Sequence, residues 1–599
     1  MSSSPASVTG AYARPQSTRR LPAAAVHVLF ALLLSALLVP AADARIRVEI
    51  SGIDGPLASN ARAHLDLVRF AEREDLSEAA VRRLYQRAPG QLQRALKPYG
   101  HYDAEVVSRS LERDNNGWIA RFEVDAGPPV IITDTDIRVT GDGADHPAFR
   151  NLVANTTVQP GTQLRHPDFD QLRSRLDRAA QTHGFFDRSF ETRRLEVDPA
   201  ERTARAVMVF NTGPRYRFGE INVEQDILVD DLIDRLVFVR EGDPFDNERV
   251  LRTQYALTDS EYFGNVLVEP GERDPETLTV PVRVETTEGR RQRLRTGIGY
   301  GTDTQVRATA RWDFRRINRR GHRANITTQV SEPILELSSQ YIIPFGDPLR
   351  ERLAFRSSLI SEDLGDTRSQ RATLGVNHRR VLGDWQRNLF TDVVDERTRV
   401  RGDPAFSDTL IVPGIGFEKL ITDDPISPTT GYRLRSELRG SHGTLGSSTD
   451  FLRLHLGAGR IMTLGDNTRA VLRSEAGFGL IGGFGELPAS QRFFAGGDQS
   501  VRGYGFNQLS PRDDEGRVVG GRHLLFASAE IQQRIRGPFQ LAGFVDAGNA
   551  LNNLSDDVQV SVGTGLHIET PIGRIRIEGA RAVTESRSFR LHVSIRPDL

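Results

Sequence analysis

DFLRLHLGAG, Asp450 to Gly459, alternates residue by residue. Leu452, Leu454 and Leu456 fall on one face of an extended chain, and Arg453 and His455 on the other. A period of two marks a strand. The same rhythm recurs near the end of the chain: Ile575 and Ile577 oppose Arg574, Arg576 and Glu578, and in SFRLHVSI Leu591, Val593 and Ile595 oppose His592 and Ser594. A soluble sandwich also alternates, but it seldom repeats arginine, histidine and glutamate on its inner face. Apolar outside and charged inside is the pattern of a transmembrane barrel with a wet lumen. Residues 292–599 number 308, about 19 per strand plus connection if sixteen antiparallel strands share them. Sixteen is the natural count, with 14 or 18 left open by pattern alone.

Composition agrees with that reading. Mean hydropathy is -0.39 and 38% of residues are hydrophobic, polar for a membrane protein, yet only helical spans need long apolar runs. The 78 basic and 79 acidic residues balance, which argues against a nucleic-acid partner. With no cysteine, disulfides, thiolate metal sites and cysteine nucleophiles are excluded. Arg14, Arg19 and Arg20, the apolar run Leu21 to Val39 and Ala42-Asp43-Ala44 read as a secretory signal peptide over residues 1–44.

Between Arg45 and about Arg290 the rhythm is helical and repeated. LQRALKPYGHYDAEV, LDRAAQTHGFFDRSF and LRTQYALTDSEYFGNVLV each run from an apolar helical face through a turn into paired aromatics; aligning Tyr102, Phe186 and Phe263 gives spacings of 84 and 77. A second marker, strand then glycine turn, places Gly127, Gly213 and Gly289 at spacings of 86 and 76. Each unit reads strand, helix, helix, strand, strand, with Phe169, Leu172, Leu176 and Ala179 on one helical face in the second. Tyr102, Phe186 and Phe263, with the aromatics beside them, are expected to pack helices onto sheets. The units resemble POTRA domains, which implies three of them in the periplasm (45–126, 127–212 and 213–290) ahead of a barrel at 291–599. The resemblance also implies a small sheet in each with an edge open to an extended peptide.

The barrel half carries FFAGGDQSVRGYGF, Phe493 to Phe506. An arginine inside a barrel needs partners, because an unmatched buried guanidinium costs several kcal/mol, and its planar fork suits carboxylates. Alternation turns Phe544 and Asp546 inward if Val545 faces lipid, and Glu530 inward if Ala529 and Ile531 face out. VRGY at 501–504, GFVDAGNA at 543–550, LLFASAEIQQRI at 524–535, DDPISPTTGYRL at 423–434 and GTGLHIETPIGRIRI at 563–577 together resemble the POTRA-bearing barrels of outer-membrane protein insertases and two-partner secretion transporters. The resemblance implies that a long sixth extracellular loop folds into the lumen. There Arg502, Gly503 and Tyr504 are locked to Asp546 and Glu530, with Gly503 letting the tip lie close to the wall.

Three repeats, the length, the hairpin from Leu294 to His322 and the end RLHVSIRPDL resemble the TamA branch of that superfamily, the outer-membrane subunits of translocation and assembly modules. Leu599 stands where most such barrels end in an aromatic. The branch implies an outer-membrane protein that promotes insertion and secretion of autotransporter-type barrels. Its expected partners are a large inner-membrane-anchored, TamB-like periplasmic protein, unfolded outer-membrane clients and the lipid bilayer. It also implies a weak seam between the first and last strands, at Gly297, Gly299 and Gly301 on the one and Leu591, Val593 and Ile595 on the other; glycines weaken strand pairing. A two-partner-secretion transporter is the alternative, although that class usually carries two repeats and a plug helix. An outer-membrane enzyme is the remote one: neither G-x-S-x-G, H-E-x-x-H nor G-x-x-x-x-G-K-[ST] occurs. No catalytic residue, metal or cofactor is expected.

Overall fold

The computed structural model describes residues 46–73, 76–114, 117–424, 428–570, 573–584 and 588–596. The signal peptide expected at 1–44 and the ending Pro597-Asp598-Leu599 lie outside the described residues. The chain divides into two compact units at Arg215 and Tyr216; the first holds two repeats, the second a third repeat and a sixteen-stranded antiparallel sheet. No helix among the described residues is long and apolar enough to cross a membrane.

All three repeats share one topology. The last strand of each is central, parallel to the first and antiparallel to the second: Gly117–Asp125 between Ile46–Ser51 and Glu105–Asp114, then Thr203–Asn211, then Thr279–Glu288 in the corresponding places. Those central strands bury one face against the helices, as Ala120, Phe122 and Val124 in the first repeat and Val280, Val282 and Val284 in the third. The long helices start on side-chain caps at Ser77 and Asp246, which accept from backbone N–H groups one turn in. In the second repeat the buried helical face is Phe169, Leu172, Leu176 and Ala180, so Ala180 takes the place expected for Ala179.

The corner after each helix is left-handed. Gly100 and Gly184 adopt φ 83° and 82°, and the third repeat uses Glu261 at φ 56°. A non-glycine residue pays for that conformation, and here it also supplies a carboxylate for Arg293 and Arg315 at 3.6 and 3.5 Å. Tyr102, Phe186 and Phe263 do mark the same corner, but only Phe263 is buried core. Phe186 is half-buried, and Tyr102 packs beside the core of the following repeat with its hydroxyl 3.2 Å from His166 Nε2.

The third repeat meets the barrel at the turn between strands Gln305–Phe314 and Arg323–Val330. The Tyr262 hydroxyl donates to the Gly321 carbonyl at 2.7 Å, the Arg323 guanidinium stacks 4.4 Å above the Tyr262 ring, and Arg316 Nη1 donates to the Ile227 carbonyl. Gly321 sits at φ 71°, and a Cβ there would meet the Tyr262 hydroxyl at 2.7 Å. Tyr262→Phe strands a buried carbonyl. Its expected cost is about 1–2 kcal/mol, read as easier proteolysis between repeat and barrel at unchanged barrel stability.

The sixteen barrel strands run from Gln292–Gly301 to Phe589–Arg596, each hydrogen-bonded to the next. Alternation places Leu452, Leu456, Ile577 and Leu591 outside, while Arg574, Arg576, Glu578, His592 and Ser594 are buried within. A sequence rhythm of apolar and charged residues thus becomes a lipid-facing wall around a polar lumen.

The segment from Asp423 to Thr430 joins strands Phe406–Thr422 and Gly431–Ser441. The Thr429 hydroxyl and the backbone N–H groups of Thr430 and Thr429 donate to the Asp423 carboxylate and hold its pKa down to about 2. A depressed carboxyl contributes stability above its unfolded pKa, and loses it as pH falls through the folded value. We expect the Thr429 and Thr430 amides to lose exchange protection between about pH 4 and pH 2, and Asp423→Ala to remove that protection already at neutral pH.

Candidate functional site: an arginine held inside the barrel

The long connection between strands Thr468–Ile481 and His523–Arg536 is the sixth extracellular loop, and its tip lies inside the barrel. Three short bridges stiffen it: Phe493 with Gly521, Ala495 with Leu509, and Arg512 with Val518. Phe493, Ala495, Val501, Tyr504 and Leu509 pack with Leu524, Phe526, Ala550 and Ala582 of the wall. This small apolar cluster carries the polar tip down to mid-strand.

Arg502 is wholly buried. Its Nε and Nη2 donate to Asp546 Oδ2 and Oδ1, both at 2.8 Å, a two-pronged pair. Its Nη1 donates to Glu530 Oε2 at 2.7 Å and to Glu578 Oε1 at 2.9 Å. Its backbone N–H also donates to Asp546, and the Ser528 hydroxyl bridges at 2.7 Å to Asp546 Oδ1. The guanidinium lies 3.3 Å above the Phe544 ring centroid. Phe544 in turn lies over Gly563, its partner on the next strand; any side chain at Gly563 would strike that ring. Gly503 touches the wall from the other side: a Cβ would lie 2.6 Å from Ser561 Cβ and 2.7 Å from the Ala582 nitrogen. The Tyr504 hydroxyl reaches Thr584 Oγ1 at 2.7 Å and donates to Gln559 Oε1 at 3.2 Å.

The structure therefore brings together Arg502, Gly503, Tyr504, Asp546 and Glu530, the five residues singled out from sequence. It adds Glu578, Ser528, Phe544 as a stacking partner, His567 at 2.8 Å from Glu578, and His592, whose Nε2 donates to the Arg502 carbonyl. Glu578 and His592 were already legible as inward-facing by alternation; that they converge on Arg502 depends on barrel closure, which alternation does not show. Glu530, His567 and Glu578 could between them present ligand atoms to a cation, but the Arg502 guanidinium fills that space. The arrangement is a structural clamp on charge.

The seam is the other distinctive place. Every neighbouring pair of barrel strands from the first to the last shares a ladder, whereas among the described residues none joins Gln292–Gly301 to Phe589–Arg596. Among the described residues two hydrogen bonds cross there: Thr302 N–H to the Val593 carbonyl at 3.2 Å, and Val593 N–H to Thr302 Oγ1 at 2.8 Å. Of the six residues expected at the seam, Gly301 and Val593 lie at this crossing. Gly297 and Gly299 lie against Thr309 and Arg307 of the second strand, and Leu591 and Ile595 face outward, exposed, as the alternation expects. The glycines make room for neighbouring side chains within the first hairpin rather than across the seam.

Comparison with known proteins agrees with this architecture. The Omp85 superfamily domain matches residues 286–590, the first POTRA domain of the TamA type matches 47–126, and the surface antigen variable number repeat, a POTRA family, matches 216–289. The chain is 23% identical over 535 residues to the outer membrane protein assembly factor BamA of Nitratidesulfovibrio vulgaris, covering 82% of this chain and 64% of that one. It is 24% identical over 414 residues to BamA of Neorickettsia risticii, covering 63% and 54%. It thus spans less than two thirds of the length of either relative. Among solved structures, BamA from Haemophilus ducreyi lacking POTRA domains 1–3 superposes with a TM-score of 0.63 at 15% identity, over 78% of this chain and 99% of that one. It is a sixteen-stranded, nearly closed barrel of the outer membrane with its POTRA repeats in the periplasm, and it belongs to the Omp85 superfamily.

Proposed function

We propose that this chain is a non-enzymatic assembly factor that helps other barrel proteins, autotransporters among them, into the outer membrane, as the outer-membrane subunit of a translocation and assembly module. The observation that carries the reading is the seam. An ordinary strand pair is closed by a full ladder, and this one, among the described residues, by two hydrogen bonds each worth about 1 kcal/mol net. A barrel that parts there exposes an unpaired strand edge, and an unpaired edge templates another strand. The free edge strand Glu105–Asp114 of the first repeat, with Val107 65% exposed on it, offers an extended chain the same chemistry earlier on its route. Docking of an inner-membrane-anchored, TamB-like partner on the first repeat completes the proposal, which the match of residues 47–126 to the TamA-type domain supports.

Photocrosslinkers at Tyr300 and Leu591, which face lipid on the two seam strands, and at Val107 test the reading in cells. Crosslinks from both seam positions to nascent outer-membrane barrels are the expected result. If lumenal positions instead trap a soluble exported chain and the seam traps nothing, the chain is a two-partner-secretion transporter.

A further inference from the structure

The inward-folded loop touches both sides of the seam. On the side of the last strand, the Ser588 hydroxyl donates to the Gly503 carbonyl at 3.0 Å, and His592 Nε2 donates to the Arg502 carbonyl. On the side of the first hairpin, Asp303, in the turn after Gln292–Gly301, accepts the backbone N–H of Asp498. Gly497 is confined there: it sits at φ 106°, and a Cβ would strike the same Asp303 carboxylate. A run of seven residues, Gly497 to Gly503, therefore passes from one seam strand to the other inside the barrel.

His592 is where the two anchors meet. It is 1% exposed, and its Nδ1 lies 3.9 Å from Asp303 Oδ1 without a hydrogen-bond partner among the described residues. A carbonyl only accepts, so Nε2 must carry a proton to bond Arg502. A neutral ring then turns a bare Nδ1 lone pair toward the Asp303 carboxylate, whereas an imidazolium turns an N–H toward it. The other charges facing this ring are Asp498 and Arg502 in the loop, Arg590 on its own strand and Glu578 opposite it on the neighbouring strand.

We propose that the segment Gly497–Gly503 is a strap across the seam, anchored by Asp303 on the first hairpin and by His592 on the last strand, and that seam opening requires release of one anchor. His592 and Asp303 are positioning residues in this scheme. They act on the seam through the loop and touch no client. The idea rests on the reading of the seam as the client's entry.

The chain has no cysteine, so spin labels placed at Tyr300→Cys and Leu591→Cys report the seam alone. In the full chain in lipid nanodiscs, release of either anchor is expected to enlarge the long-distance population about fivefold, the equivalent of roughly 1 kcal/mol. His592→Phe, which keeps a ring but offers the Arg502 carbonyl no donor, and Asp303→Ala, which offers the Asp498 N–H no acceptor, should each show that larger population, whereas His592→Gln, which keeps a donor, should stay closer to the parent. If His592→Phe and Asp303→Ala both keep the parent's distances, the strap is wrong. That result leaves the seam reading standing as long as clients still crosslink at Tyr300. A seam that obeys the strap but never touches a client sinks the reading and leaves the strap.

Discussion

Arg502→Ala is expected to lower the stability of the barrel by about 3–5 kcal/mol, the largest loss of any single side-chain truncation in the lumen. The reason is the company the guanidinium keeps. Asp546, Glu530 and Glu578 are each at most 3% exposed, and alanine removes the one guanidinium that hydrogen-bonds all three, leaving three buried carboxylates without their shared donor. The folded band on a heat-modifiable gel, followed through a urea series, measures the loss. Removing charge from the carboxylates should recover part of it: Glu530→Gln with Glu578→Gln in the Arg502→Ala background is expected to be more stable than Arg502→Ala alone. Arg502→Lys should recover less than half, because one ammonium cannot grip Asp546 with two prongs while also reaching Glu530 and Glu578. A urea midpoint unchanged in Arg502→Ala would mean that the clamp contributes nothing to the fold.

Gly503→Val should match that loss without touching a charge. The first carbon of any side chain at 503 already lies 2.6 Å from Ser561 Cβ and 2.7 Å from the Ala582 nitrogen, and the second of these contacts is backbone that cannot step aside. The tip must then lift, and Arg502 lifts with it. Two variants that fail by the same event do not add. The double variant Arg502→Ala/Gly503→Val is therefore expected within about 0.5 kcal/mol of the worse single one, measured in the same urea series. A double variant showing the full sum would mean that Gly503 and Arg502 serve separate purposes.

Much of this arrangement is written in local sequence. Alternation in DFLRLHLGAG and GRIRIEGA is a property of single strands, and each strand in the structure obeys it. The inward facing of Asp546 and Glu530 follows from the same parity, and the repeat spacing follows from corners at Gly100, Gly184 and Glu261. What the chain did not disclose is what depends on closure. Glu578 stands 76 residues from Arg502, His592 stands 90, and Asp303 stands 195 from Asp498. These partners meet only because sixteen strands curl the ends of the sheet together around the loop. The same holds for the glycines of the first strand. Their sequence suggests a weak edge, and the structure shows Gly297 making room for Thr309 on its own hairpin, with the weakness lying in a missing ladder. Tyr102 is another case: its corner is local, but the core it borders belongs to the next repeat.

The central claim is that the seam must part for clients to be assembled. A disulfide between Thr302→Cys and Val593→Cys tests it most directly, since these residues already oppose one another across the seam and the chain holds no competing thiol. In proteoliposomes, the oxidised chain is predicted to stop inserting an autotransporter barrel and to resume when the disulfide is reduced. Undiminished insertion by the fully oxidised chain would contradict the account.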